Sequence, residues 1–153
     1  MNRYVVMLSI ALAALASSGA AGQTAKDLVG TWTLDAAGGF GVNPKGYVMF
    51  DANGHFGALL MRSDLPKYAS NSRTQGTAEE YKATVQGTIA YYGTYAVQGT
   101  DVNLHIEGSS FPNWNGTDQK RTNLSITGEG MRWTQPATSG GGQPAEALWK
   151  RAR

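Results

Sequence analysis

Hydrophobic and polar residues alternate along most of the chain beyond residue 25, which is typical of β-strands buried on one face. The clearest example is the segment 102–109, where Val, Leu and Ile hold even-numbered positions and polar residues hold the odd-numbered ones. Turn sequences such as Asn53-Gly54 separate the alternating segments. These patterns predict eight strands, at residues 26–34, 46–50, 55–62, 93–97, 102–109, 119–127, 131–135 and 145–151.

One helix is expected between the third and fourth strands. Thr77 and Glu80 have the spacing of a capping box, and apolar residues recur at helical intervals up to Ile89. We therefore expect a helix over about residues 77–90. Because consecutive strands are joined by short turns, the chain is predicted to be all-β, as an eight-stranded antiparallel up-and-down barrel with one inserted helix.

The first 22 residues have the pattern of a secretory signal peptide. Arg3 supplies a positive charge, residues 4–16 form an apolar run, and small residues follow it. The run is shorter than the roughly 20 residues of a membrane span. We expect cleavage near residue 22, a mature domain at 23–153, no stable membrane anchor, and export to the periplasm or the exterior. An uncleaved anchor is the alternative.

The composition of the chain argues against nucleic-acid binding and against metal binding. The chain has 13 Lys and Arg and 11 Asp and Glu, so the domain without Arg3 carries a net charge of about +1 and no basic block. Nucleic acid is therefore not an expected partner. The chain has no Cys and only two His, which excludes disulfides and makes a metal site or a bound cofactor unexpected.

Several motifs resemble those of a known family. Gly30-Thr31-Trp32 resembles the G-x-W opening of lipocalins, in which the Trp plugs one end of the barrel. Further motifs follow in order: N-P-K-G-Y at 43–47, M-R at 61–62, P-K-Y at 66–68, E-E-Y-K at 79–82, Y-Y-G-T-Y at 91–95, and F-P-N-W-N-G-T at 111–117 with Gln119 and Arg121. Over about residues 27–151 the chain resembles the bacterial and fungal lipocalin-like domain family.

The resemblance implies an eight-stranded lipocalin-like barrel with a central cavity but no known reaction. Some similar domains accompany enzymes that build polyketides and terpenoids, which keeps a catalytic role open. The chain departs from typical lipocalins because it has no Cys for a disulfide and its helix lies in mid-chain.

The segment from His105 to Arg121 concentrates candidate site residues. Either the aliphatic face of 102–109 lines the barrel, or its polar face does and places His105 beside a ligand. His105 is a candidate acid/base, two residues from Glu107 on the same face. Arg121 could bind an anionic group or form a structural ion pair.

Other candidates lie outside this segment or in its loop. Arg62 shares parity with Leu60 and is expected to point inward at the mouth, the alternative being an ion pair with Asp64 or Glu107. Trp114 could cover the mouth or anchor its own loop. Three tyrosines complete the predicted binding set: Tyr68 in a possible lid, and Tyr92 and Tyr95 in the fourth strand.

These observations predict an exported protein that binds a small, mostly apolar molecule carrying a polar or anionic group. One alternative is a cyclase or isomerase that uses His105 as acid/base and Arg62 or Arg121 to stabilise an oxyanion. Another is a protein-interaction module with a filled barrel.

Overall fold

The computed structural model describes residues 22–153, and the expected signal peptide lies outside these residues except for Gly22. Eight antiparallel strands form a closed barrel in which each strand pairs with its neighbours in sequence and the last pairs with the first. The strands are β1 (Gly30–Ala37), β2 (Lys45–Phe50), β3 (His55–Met61), β4 (Thr88–Gln98), β5 (Asp101–Ser109), β6 (Thr117–Ile126), β7 (Met131–Gln135) and β8 (Ala145–Arg151). The predicted fold class is confirmed.

Two short helices accompany the barrel, α1 (Ala25–Leu28) and α2 (Ala78–Gly87). The capping box of α2 forms as predicted: Glu80 N–H donates to the Thr77 hydroxyl over 3.2 Å, and Thr77 N–H donates to the Glu80 carboxylate over 2.8 Å. The helix ends at Gly87 and not near residue 90. Ile89 belongs to β4, where it pairs with Leu60, so the predicted start of this strand at residue 93 was five residues late.

The barrel interior is filled by the inward-facing half of each strand. Val102, Leu104 and Ile106 are at most 1 % exposed, so the aliphatic face of β5 lines the interior. The other interior side chains are mainly aliphatic and aromatic: Leu34, Val48, Phe50, Phe56, Leu60, Ile89, Tyr91, Leu124, Met131, Trp133 and Trp149. Burial of this apolar surface is the main stabilising contribution in a domain without disulfides.

One end of the barrel is closed by Trp32. Its indole N–H donates to the Leu28 carbonyl over 2.8 Å, and the Arg151 guanidinium carbon lies 4.1 Å from the centroid of its ring. Arg151 also donates to the carbonyls of Asp27 and Val29. Gly30 has a φ of 128°, and a Cβ there would lie 2.9 Å from the Arg151 guanidinium. Because Gly30 has no side chain, the Arg151 guanidinium can lie against the backbone of Gly30 and the indole of Trp32 at the same time.

The opposite end carries the four longer connections, at residues 38–44, 62–87, 110–116 and 136–144. They include α2 and a 3₁₀ turn at Pro112–Trp114. We refer to this end as the mouth. Within residues 22–153, no helix has the length and apolar character needed to cross a membrane.

Candidate functional site

Arg121 lies inside the barrel. It sits on β6 opposite Val102 of β5, and its side chain is 0 % exposed. Its neighbours in the interior are hydrophobic and aromatic residues. Within residues 22–153, Arg121 is the one charged residue that is fully buried. A guanidinium keeps its positive charge in proteins, so β6 places a cation in an apolar interior.

The neighbours of Arg121 are aromatic and not acidic. Its guanidinium carbon lies 5.9 Å from the ring centroids of both Tyr91 and Trp114, within the range of cation–π attraction. Tyr91 lies on β4, and the 3₁₀ turn of the mouth holds Trp114 edge-on to it, with centroids 5.4 Å apart. A barrel strand and the 3₁₀ turn of the mouth thus place two aromatic rings against one cation.

The hydrogen bonds of Arg121 are incomplete. One terminal nitrogen donates to the Lys120 carbonyl over 3.0 Å, and the other reaches the Tyr91 hydroxyl over 3.4 Å. Its Nε has no hydrogen-bond partner among residues 22–153, and no ion pair involves Arg121 within that range. Burying a cation without a carboxylate costs several kcal/mol, about the scale of a domain's whole stability. The arrangement is therefore suited to accept an anionic or strongly hydrogen-bonding group.

A second donor also lies in the interior. The indole N–H of Trp149 on β8 is buried and has no partner among the described residues. Trp149 lines an internal cavity of about 40 Å³ together with Tyr91, Trp114 and Trp133. Because Trp149 and Arg121 both offer N–H groups, a group bound between the barrel walls would need to supply acceptor atoms.

A larger cleft covers the mouth directly above this cavity. Its volume is about 920 Å³, and it is bounded by the connections after β1, β5 and β7 and by the end of α2. Phe40, Ile89 and Ala145 line both the cleft and the small cavity, so the two spaces adjoin. The cleft has the volume of a site for a drug-sized molecule, whereas the cavity beneath has room for only a few water-sized groups.

The structure brings together two of the residues predicted from sequence, Trp114 and Arg121. Trp114 does more than anchor its loop, since it packs against Phe111 on one side and against Tyr91 and Arg121 on the other. Neither residue has been tested for binding, so their binding role stays a prediction.

Arg62 does not point into the barrel, and that prediction was wrong. Strand β3 ends at Met61, so the parity that Arg62 shares with Leu60 no longer determines its direction. Arg62 forms a bidentate ion pair with Asp64 over 2.6 and 2.8 Å and packs against Gly87. The hydrogen bonds of this exposed pair raise the pKa of Arg62 and lower the pKa of Asp64. The structural alternative for Arg62 is the one observed.

The three predicted tyrosines lie away from the interior site. Tyr68 packs against Tyr81 and donates to Thr84 of α2, outside the cavity and the mouth cleft. Tyr92 is on the outer face of β4, 57 % exposed. Tyr95 packs against Phe50 toward the closed end and donates to the Asp51 carbonyl. Burial, and then the Asp51 carboxylate, raise the pKa of Tyr95.

His105 lies on the outer face of β5. Its Nδ1 is 2.7 Å from the Asp118 carboxylate, and the two side chains are 51 % and 86 % exposed. Arg121 projects from the neighbouring strand to the other side of the barrel wall. The alternative that placed His105 in the cavity was therefore wrong, and His105 and Arg121 cannot contact the same small substrate.

Tyr91, Trp133 and Trp149 were not predicted as site residues. The sequence holds a signal for Tyr91, since it has the same parity as Ile89 whereas Tyr92 does not. Trp133 lies between the polar residues Arg132 and Thr134, which marks it as interior but not as cavity-lining. Trp149 lies between Leu148 and Lys150, so alternation gives a weaker signal for it. Among residues 22–153, no group of three or more His, Cys, Asp or Glu side chains could hold a metal ion.

The chain is similar to one family of known proteins and to two solved structures. The family described as "Lipocalin-like domain" matches residues 29–152. A lipocalin-like protein from Bacteroides uniformis has a crystal structure 14 % identical to the chain, with a TM-score of 0.45, covering 82 % of this chain and 99 % of that one. An uncharacterized protein from Bacteroides eggerthii is 15 % identical, with a TM-score of 0.44 and the same two coverages. No curated protein matches significantly. The match over most of its length shows that the chain belongs to the lipocalin-like domain family.

Proposed function

We propose that this protein is an exported carrier of small, mostly apolar molecules that bear a carboxylate or a similar anionic group. The observation that carries the proposal is the wholly buried Arg121, whose guanidinium has no acidic partner and whose Nε donates to nothing among the described residues. A bound carboxylate would accept two parallel hydrogen bonds from this group and neutralise its charge.

The shape of the available space supports a particular binding pose. The cleft at the mouth would hold the apolar body of the ligand against Phe40, Ile89 and Phe111. Its anionic group would extend through the smaller cavity beneath toward Arg121. Trp114 borders that cavity and contacts Arg121, so it would have to turn aside as the ligand enters.

Export is part of the proposal and is supported by the N-terminal sequence pattern alone. The positive residue, the apolar run at 4–16 and the small residues after it are what a secretion apparatus recognises. A carrier outside the cytoplasm would shield an apolar compound from water during transfer.

The geometry favours binding over the acid–base enzyme considered from sequence. That mechanism needs His105 and an arginine at one reacting group, within hydrogen-bond reach of it. His105 is exposed on the outside with Asp118, Arg62 is paired with Asp64 at the rim, and Arg121 lies inside. These three side chains do not converge.

A titration with matched probes tests the proposal. Decanoate, decanol and decylamine share one apolar chain and differ in the head group, and the indoles of Trp114, Trp133 and Trp149 at the cavity provide a fluorescence signal. A charged hydrogen bond contributes about 1.5–3 kcal/mol, so decanoate should bind about 10- to 100-fold more tightly than decanol. Decylamine should bind most weakly of the three.

Two variants complete the test. Arg121→Gln should abolish the preference for decanoate, whereas His105→Asn on the outer face should leave it intact. Equal affinities for acid and alcohol in the unaltered protein would refute the proposal. So would an Arg121→Gln variant that keeps the preference for the acid.

A further inference from the structure

The outer surface of the barrel is divided into a charged side and an apolar side. Three cross-strand ion pairs and one hydrogen-bonded His–Asp pair cover the outer faces of β5, β6, β7, β8 and β1. The ion pairs are Lys120–Asp101, Arg132–Glu146 and Lys150–Asp35, and the fourth pair is His105–Asp118. Strands β2, β3 and β4 instead direct large apolar side chains outward. These are Tyr47, Met49, Leu59 and Tyr92, with exposures of 50 %, 52 %, 38 % and 57 %. We refer to these four residues as the outer apolar face.

The four residues form one continuous surface. Tyr47 pairs directly with Leu59 across β2 and β3, while Met49 and Tyr92 lie on either side of Gly57. Because Gly57 has no side chain, the surface is recessed between them and forms a groove of about 510 Å³. A contiguous apolar patch on a protein surface is often functional, and association with a partner is one such function.

The charges at the two ends of β2 indicate what could cover this face. The outward-facing positions of β2 and the residue after it are Lys45, Tyr47, Met49 and Asp51. This row has a cation at one end, two apolar residues in the middle and an anion at the other. Lys45 is exposed and forms no ion pair within residues 22–153. Asp51 follows the end of β2, and its half-exposed carboxylate accepts from the backbone amides of His55 and Asn53 and lies 3.2 Å from His55 Nδ1. The backbone amide of His55 lowers the pKa of Asp51, so this carboxylate is ionised at neutral pH.

Such a row is complementary to itself after a two-fold rotation. Successive outward residues on a strand are about 7 Å apart. A two-fold axis that lies in the plane of the contact, perpendicular to β2 and between Tyr47 and Met49, would place Tyr47 of one copy over Met49 of the other. The same rotation would bring each Lys45 to the Asp51 of the second copy. A contact in which one patch faces itself closes after two subunits.

We propose that the outer apolar face is the interface of a weak two-fold dimer of this chain, with β2 lying against β2 of the second copy. Four side chains, each about half exposed, contribute on the order of 400 Å² per copy, or about 800 Å² for the pair. This area is below the roughly 1,000 Å² of a stable specific interface, so the dimer is weak and transient. The mouth lies at the end of the barrel and stays open in both copies.

Sedimentation velocity over about 1 to 500 µM tests the dimer, and we expect half-dissociation between about 10 and 100 µM. Leu59→Lys places a charge in the centre of the outer apolar face and should leave the protein monomeric. Val85→Lys is the matched control, because Val85 is a 76 % exposed apolar residue on α2, away from this face. Lys45→Glu should weaken the dimer at least severalfold, because it places two anions together.

Cross-linking tests the two-fold arrangement. The chain has no Cys, so introduced thiols are unique. Since facing sheets pack about 10 Å apart, a bis-maleimide of that reach should join a mixture of Tyr47→Cys and Met49→Cys proteins more efficiently than either variant alone. A monomer at every concentration would overturn the proposal. Dimers that survive Leu59→Lys, or that Val85→Lys disrupts equally, would also overturn it.

Discussion

Replacing Arg121 with Met should stabilise the ligand-free protein. Arg121 is completely buried, and its guanidinium lacks both a carboxylate partner and a partner for Nε within the described residues. Met has a similar length, fills the space without charge and needs no hydrogen bonds. If Arg121 serves to bind a ligand, its burial lowers the stability of the ligand-free barrel, and the substitution by Met removes this destabilisation.

The magnitude follows from the contacts of the side chain. Met loses one good hydrogen bond from a charged group, to the Lys120 carbonyl, worth about 1.5–3 kcal/mol, and cation–π contacts to Tyr91 and Trp114 worth about 1–2 kcal/mol. It removes the desolvation penalty of a buried ion, which is several kcal/mol. We expect a net gain of up to about 3 kcal/mol, or a rise in the thermal midpoint of up to about 10 °C.

The assay is urea and thermal unfolding of protein that has been refolded from denaturant to remove bound compounds. Leu104→Met, in the same interior, is the control and should change stability by less than about 1.5 kcal/mol. A loss of about 2 kcal/mol or more in Arg121→Met, with Leu104→Met unaffected, would refute the reasoning. It would show that the arginine stabilises the barrel by itself.

Three further predictions concern stability. Thr77→Ala removes the hydroxyl that caps α2 and should cost about 1 kcal/mol in urea unfolding, whereas Thr77→Ser should restore it. Arg151→Leu loses the stacking on Trp32 and two bonds to backbone carbonyls, and should lower stability by about 2–3 kcal/mol; no change would show that the stack contributes nothing. Backbone N–H donors lower the pKa of Asp51 and Glu80, so their contribution is complete above about pH 5 and is lost as the pH falls below about 4. A urea midpoint that stays constant down to about pH 3 would contradict this assignment.

Alternation in the sequence was sufficient to predict the barrel but misplaced several boundaries. The strand β4 starts five residues earlier than predicted, and residues 26–28, predicted as the start of the first strand, belong to α1, so β1 starts at Gly30. In β5 the three aliphatic residues could only be buried together, and the structure buries them. Ile89 instead fits two patterns, the helical spacing of α2 and the alternation of β4. Its β-branched side chain favours the strand. Ile89 pairs with Leu60 of β3, and this pairing between residues distant in sequence places Ile89 in the strand and not in the helix.

The interior position of Arg121 could not be derived from hydrophobicity. Leu124 is the evident inward residue of β6, and strict alternation from Leu124 would turn Arg121 outward. Both are buried, because the strand is irregular between Thr122 and Ser125 and Asn123 adopts a φ of 57°. A residue in this conformation shifts the alternation by one position. The motif that contains Arg121 marks it as a candidate, but nothing in the sequence determines the direction of its side chain.

Native mass spectrometry of the protein purified from its own host, without denaturant, tests the central claim most directly. We expect the unaltered protein to retain a small acidic, mostly apolar compound, and the Arg121→Met protein to be recovered folded and without it. A barrel that is recovered empty in its unaltered form, or that carries the same compound in both forms, would contradict the assignment of Arg121 as the group that binds the ligand.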